Sequence, residues 1–381
     1  MTEPKSQRPT WAEIDLDNLA FNFRSAKSHI GPDVKYMAVV KADGYGHGAV
    51  ECAKRLEADD VDWFGVALPE EGVELRQAGI RKLILCLGGF WEGQEHIALN
   101  YNLTPVVYQI EKAKVLNEAA TQRGTHVAVH VKVDTGMGRI GVRYDAVREF
   151  ADTLKTLDHL RLEGVMTHFA SADDLEQNEF TDLQIKRFYE AVEIFRDRGF
   201  NPSYLDLANS PGAVAHPGSR GNLVRLGGIL YGLGGDVLPQ GIEAPELRPV
   251  LSLHTRIAHL KKVPAGEGIG YGSTFVTKGE SLIATVPIGY QDGYSRSLSN
   301  RGRAIVRGRF APVAGRISMD WTTLDVSGIP DAKVGDDVVL IGKKDGLQIA
   351  AEDIAAQTET ISYEVTCSID RRVPRLYVHR S

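Results

Sequence analysis

Cysteine is scarce in this chain: Cys52, Cys86 and Cys367 are the three in 381 residues, and no two of them form a C-x-x-C pair. That scatter excludes a disulfide framework and a zinc knuckle, and leaves the three as small core residues. No run approaches the ~18 uninterrupted apolar residues of a membrane span. The polar opening MTEPKSQRPT lacks the apolar centre of a signal peptide, so the cytoplasm is the expected location. Basic excess is also missing, since 44 Lys and Arg stand against 50 Asp and Glu for a net charge of -6. Neither a nucleic acid nor a membrane surface is therefore an expected partner. No H-E-x-x-H or other zinc spacing occurs, and the close pair His126 and His130 lies in a strand-like run that offers two ligands at most. No metal site is expected.

What the chain does have is length and a regular alternation. At 381 residues with 43% hydrophobic content it can bury a sizeable core, which predicts two domains or one large barrel with an addition. Short aliphatic runs near Val34 to Val40, Trp63 to Ala67, Leu83 to Leu87, Thr104 to Tyr108, Val127 to Val133, Leu162 to Met166, Tyr204 to Leu207 and Leu223 to Leu226 alternate with helix-period stretches. Eight such units in ~200 residues predict an α/β fold, a closed (β/α)8 TIM-type barrel with its active site on the loops after the strands. From Pro249 the texture becomes mainly β, with strand-like runs Leu251 to Leu260, Ser281 to Pro287, Ala304 to Arg316, Thr322 to Val326 and Asp337 to Ile341. The expected organisation is a flexible tail over 1–10, a strand over 11–16 joining the β domain, a barrel over 17–240 and a mainly β domain over 241–381.

On this frame the stretch Ala38-Val39-Val40-Lys41-Ala42-Asp43-Gly44-Tyr45-Gly46-His47-Gly48 carries chemistry, because one lysine ends a buried strand and opens a glycine-rich turn. A lysine amine ordinarily titrates near ~10.4 and becomes a nucleophile when burial or a neighbouring cation lowers that value. Desolvated lysines serve as Schiff-base formers, above all for pyridoxal phosphate. Taken alone, Lys41 also reads as a strand-end lysine reaching for solvent. The glycines do not match G-x-G-x-x-G, and no acid closes a following strand at the dinucleotide-site distance. Other polar residues fall at the ends of predicted strands: Lys132 and Asp134 end the fifth with Arg139 shortly after, His168 ends the sixth, Asn209 and Ser210 end the seventh, and Arg225 sits in the eighth. Barrel phosphate sites are often built after strands seven and eight, which here means Ser210, Gly227 and Gly228.

These residues also carry a family resemblance. Val39 to Gly48 resembles the cofactor-lysine signature of alanine racemases, and the likeness continues through Lys132 to Arg139, Thr167 to Asp173, Ala208-Asn209-Ser210 and Val224-Arg225. It resumes at Gly270-Tyr271-Gly272, Pro287 to Tyr294, Gly315 to Asp320 and Arg372-Val373-Pro374-Arg375. The resemblance implies a pyridoxal 5'-phosphate racemase of alanine, supplying D-alanine for peptidoglycan through two bases, Lys41 on one face and Tyr271 on the other. A phenol ordinarily titrates near ~10, so Tyr271 needs help, and His168 is its implied partner. Alone, Tyr271 reads as an exposed turn aromatic. Arg225 is implied at the pyridine nitrogen, where a guanidinium donates without readily protonating the ring.

The resemblance further implies Tyr45, Ser210, Gly227 and Gly228 as phosphate contacts, with Tyr231 a further candidate. Arg139 and Met319 are implied at the substrate, and Lys132 at a position often carbamate-modified. Asp173, Tyr290, Arg316, Asp320 and Arg371 would line the entrance. A head-to-tail homodimer is implied, in which the β domain of one subunit completes the barrel site of the other. Three positions depart from the family pattern: Arg371 stands where a tyrosine is frequent, Gly228 replaces a bulkier residue, and Asp206 sits where a histidine is common. A broader-specificity racemase therefore stays open. A barrel-type pyridoxal decarboxylase is the rival enzyme, but its cysteine-acid signature is missing from the β domain. A non-catalytic pyridoxal phosphate carrier would be a single barrel, without the second domain.

Overall fold

The computed structural model describes residues 8–380. Eight strands make the barrel: β1 (Lys35–Val39), β2 (Trp63–Val66), β3 (Leu83–Cys86), β4 (Thr104–Val107), β5 (Val127–Asp134), β6 (Leu160–Met166), β7 (Tyr204–Asp206) and β8 (Leu223–Leu226). Each pairs in parallel with its neighbours, β8 returns to β1, and β4 pairs with β5, so the sheet closes. These strands read as near-continuous apolar runs because barrel interior and surrounding helices bury both faces.

Inside the barrel, Met37, Trp63, Leu85, Val106, Met166 and Leu223 pack as one cluster with Leu87, Tyr108 and Tyr204 against it. Side chains two residues apart share a strand face. Lys132 therefore follows the buried His130, His168 follows Met166, Asp206 follows Tyr204 and Arg225 follows Leu223 on the inward side. Lys41 keeps the same parity as Met37. The apolar layer thus floors a space whose wall turns polar one step further along several strands. His130 is wholly buried between Trp63 and Tyr204, with ring centroids 5.3 and 5.8 Å away. Burial, reinforced by Arg225, depresses its pKa to about 3, so it is neutral at physiological pH.

The chain forms two compact units. One holds Leu19–Gly44 and Ala49–Arg248; the other holds the described residues up to Asn18, the four residues Tyr45–Gly48, and the described residues from Pro249 onward. In the β unit, strand Thr10–Asp15 pairs antiparallel with Leu251–Arg256 and parallel with Arg375–Val378. Of the tail expected over 1–10, residues 1–7 lie outside the described residues; Arg8 pairs with Asp292 at 2.6 Å. A second sheet joins His259–Val263, Ser281–Val286 and Thr322–Asp325.

Two runs read as single strands are each divided. Leu251 to Leu260 breaks after Arg256, and its halves enter different sheets. Ala304 to Arg316 is a hairpin, Arg303–Val306 and Arg309–Pro312, turned by Arg307 and Gly308 at φ 46° and 69°. Two positive φ values in a two-residue loop match the twist of the flanking strands.

A Cβ built at Gly164, on β6, would lie 2.5 Å from the His130 ring. Gly164→Ala is expected to lower stability by about 1–3 kcal/mol through overpacking, read as a lower denaturation midpoint in urea. An unchanged midpoint would show that the histidine has room to move.

Candidate active site

Lys41 follows β1 and begins a turn of left-handed backbone: Ala42, Asp43, Gly44 and Tyr45 have φ of 52°, 52°, 62° and 55°. Left-handed helix costs a side-chain-bearing residue roughly 1–2 kcal/mol, so the surroundings must hold this turn. They do so with identifiable bonds. The Ala42 amide donates to Glu71 Oε1 at 2.7 Å, the Ala49 amide to Asp43 Oδ1 at 2.8 Å, and the Gly44 amide to the Val40 carbonyl at 2.9 Å. Glu71, in the first turn of helix Pro69–Gln77, also accepts from the amides of Ala67 and Leu68. One carboxylate therefore joins the lysine turn to the end of β2. Within the β unit, Tyr45 packs on Tyr363, ring centroids 5.4 Å apart.

The polar layer is strongly cationic. Lys132 is buried, and burial first, then Arg225, Arg139 and Lys41, bring its pKa down to about 7 against the opposing pull of Asp206. Burial, Arg225, Lys132, Arg139 and Lys41 likewise hold His168 well below the usual imidazole range. His168 is consequently neutral. Its Nδ1 lies 3.4 Å from Arg225 Nη2; a guanidinium can only donate, so Nδ1 accepts and the ring hydrogen resides on Nε2. Arg225 is anchored by the Thr167 and Leu207 carbonyls, at 2.9 and 3.0 Å, and by the buried carboxylate of Asp206.

Ser210 and Gly227 meet where the resemblance puts a phosphate. The Gly227 amide donates to Ser210 Oγ at 2.9 Å, and Asn209 caps the short helix Ser210–Ala215. Gly228 opens the single turn Gly228–Tyr231 beside them. Tyr231 is fully buried, and its hydroxyl donates to the Val39 carbonyl, steadying the strand that presents Lys41. A strand-end lysine, a hydroxyl-and-glycine corner and a surplus of buried cations fit a phosphorylated aldehyde cofactor. Arg139 is exposed on the loop after β5, where Asp134 Oδ1 accepts the amides of Gly136 and Gly138. Asp173 is exposed on the loop after β6.

On the β unit, Gly270 and Gly272, both at φ 72°, present Tyr271 with 71% of its surface exposed. Tyr271, Arg316 and Trp321 line a pocket of about 270 Å³. The Tyr290 and Gln291 amides donate to the Ser318 and Met319 carbonyls, which joins the two loops that carry Tyr290 and Met319. Arg372 bonds both Asp292 and Asp320. Arg371 lines a pocket of about 320 Å³ with Arg8, Thr10, Arg372 and Pro374.

Three supporting residues were not singled out from the sequence. Glu71 had a visible signal as a first-turn acid after Pro69. Gln184 is wholly buried in helix Asn178–Asp197; it accepts the Ala170 amide and donates to Thr135 and to the His168 carbonyl. Its signal was a polar residue on that helix's apolar stripe. Asp206 was noticed only as a departure, without its bond to Arg225.

A lysine-led cationic cluster at the carboxyl ends of barrel strands, with a β unit that displays an exposed phenol, defines a two-part barrel enzyme. Residues 14–234 match the family model "Alanine racemase, N-terminal domain", and 250–377 match "Alanine racemase, C-terminal domain". The chain belongs to the alanine racemase family, a family of isomerases. The alanine racemase of Halothermothrix orenii is 45% identical over 378 residues, covering 98% of both chains. Among solved structures, alanine racemase of Clostridium difficile 630 matches with a TM-score of 0.92 and 40% identity, covering 98% of this chain and 97% of that one. The Bartonella henselae alanine racemase, solved with covalently bound pyridoxal phosphate, matches at 0.87 and 27% identity over 98% and 100% of the two chains.

Glu71→Ala removes the acceptor of three backbone amides. It is expected to cost about 1–3 kcal/mol and to speed hydrogen exchange at Ala42. Unchanged exchange there would show that the turn holds itself.

Proposed function

We propose that this chain interconverts L-alanine and D-alanine with pyridoxal 5'-phosphate held by Lys41. The observation that carries this reading is the cationic cluster at the carboxyl ends of the barrel strands, the buried Lys132 and Arg225 with Lys41 and Arg139 near enough to act on Lys132, which suits a phosphorylated cofactor and a substrate carboxylate. When bound, the cofactor supplies a sink for the electrons left behind by the α-proton. Ser210, Gly227, Gly228, Tyr45 and Tyr231 would hold or frame its phosphate, and Arg225 would serve its ring nitrogen. Lys41 exchanges a proton on one face of the substrate's α-carbon.

The opposite face falls to Tyr271. A phenol held out to solvent by two glycines, on a β unit that also exposes Met319 and Tyr290, is suited to a surface other than its own, and a head-to-tail homodimer would bring it to a second copy's Lys41. His168, with its hydrogen on Nε2, can donate to the oxygen of the partner subunit's Tyr271 and favour its basic form. Arg139 steers the substrate carboxylate. Lys132, with a pKa of about 7, has enough free amine at neutral pH to take up carbon dioxide as a carbamate, reversing its charge beside Arg139. Met319 and Tyr290 narrow the pocket toward a methyl side chain, and Asp173, Arg316, Asp320 and Arg371 shape its approach. The cytoplasm is the proposed setting, with peptidoglycan synthesis as the use of D-alanine.

Purified protein should absorb visible light, and borohydride should fix the chromophore on Lys41; a colourless protein with no adduct would refute the cofactor assignment. Tyr271→Phe should lower racemisation by about 10²–10⁴-fold while leaving cofactor absorption intact. Full activity in that variant would remove Tyr271 from the chemistry. Racemisation assayed on alanine, serine, lysine and arginine with carbon dioxide monitored should show alanine turnover and no gas release; gas release from lysine or arginine would favour the decarboxylase.

A further inference from the structure

Asp206 is the one buried carboxylate among the described residues of the barrel unit. It ends β7 on the inward face. Its Oδ1 accepts from Arg225 Nη1, whereas its Oδ2 is buried with no hydrogen-bond partner. A buried ion pair with half of the carboxylate's acceptor capacity unfilled is a weak stabilising device, because desolvation offsets much of the Coulombic gain. Its placement makes better sense as control of the arginine.

The groups around it come from several strands. Arg225 reaches it from β8, and Lys132 acts on it from β5. His168, after β6, and His130, on β5, sit under the influence of the same arginine. Lys41 and Arg139 act on Lys132 from the loops after β1 and β5, and Asp206 is the acid that acts against them.

We propose that Asp206 is a positioning residue of the racemase: its ionised carboxylate fixes Arg225 and supplies the interior counter-charge of the cationic cluster, so that its protonation loosens Arg225 and gives turnover an acid limb of its own. The proposal rests on the racemase reading and on Arg225 meeting the cofactor ring. Burial pushes the Asp206 pKa upward, against the opposing effect of Arg225 and Lys132, to about 6. The sign follows. Above pH 6 the carboxylate is charged and grips the guanidinium; below it the acceptor charge is lost and the grip weakens.

Asp206→Asn keeps the shape and removes the charge. In the holoenzyme it should retain visible cofactor absorption, lose about tenfold in kcat with KM changed less than about threefold, and lose the inflection near pH 6 from its kcat profile. A merely structural aspartate would shift the denaturation midpoint and leave that inflection in place. A second measurement needs no substitution: in wild-type protein labelled with nitrogen-15 arginine, one guanidinium set should titrate with the midpoint of the acid limb, in the cofactor-free as in the loaded form. Wild type that racemises alanine while the Asn variant keeps the acid limb, or while no guanidinium titrates near it, would overturn the proposal. Wild type that fails to racemise any amino acid overturns the racemase reading instead.

Discussion

The site depends on a strand's two-residue repeat continued past a packed floor. His130, Met166, Tyr204 and Leu223 close the barrel beneath, and two residues further along stand Lys132, Asp206 and Arg225 on their strands and His168 just past the end of β6. The strands themselves deliver three of these four groups. A shift of one residue in any of these strands would turn its polar group toward the surrounding helices and an aliphatic one into the site. The tight complement between Gly164 and the His130 ring guards against that shift on adjacent strands.

Burial, reinforced by the crowding of like charges in that layer, sets the protonation states. Burial and neighbouring cations act in the same direction on Lys132 and His168, so both favour their neutral forms. Burial acts in the opposite sense on Asp206, whose two cationic neighbours keep it from rising further. Burial and charge thereby lower the lysine and the histidine and raise the aspartate, and because these groups act on one another a change in one alters the others. Anions entering such a space relieve repulsion already present, which favours their capture.

Much of the barrel was legible because parallel strands buried on both faces leave unmistakable aliphatic runs, and residues just past them fall at the rim by geometry alone. Ser210 could be placed by that rule, and Arg225 by its position within the eighth strand. The β unit was less legible: its hairpin at Arg307 and Gly308 has no Asn-Gly or Asp-Gly signature, and the turn at Asp345 and Gly346, which does have one, closes a partner strand of three residues that is too short to stand out. Glu71 and Gln184 act on backbone groups distant in sequence, so their residue types alone did not disclose their targets. Asp206 and Arg225 are 19 residues apart, and only the adjacency of β7 and β8 makes them neighbours.

The left-handed turn after Lys41 has a consequence for how the lysine acquires its direction. Four successive residues sit in a conformation that a free chain seldom visits, and the carboxylate that stabilises the first of them arrives from the next strand and helix. A peptide containing the whole motif would carry the same letters without the same shape. The lysine's aim is thus a tertiary property, absent until the second βα unit has docked, and the chain can bury its amine in register only once that neighbour has formed.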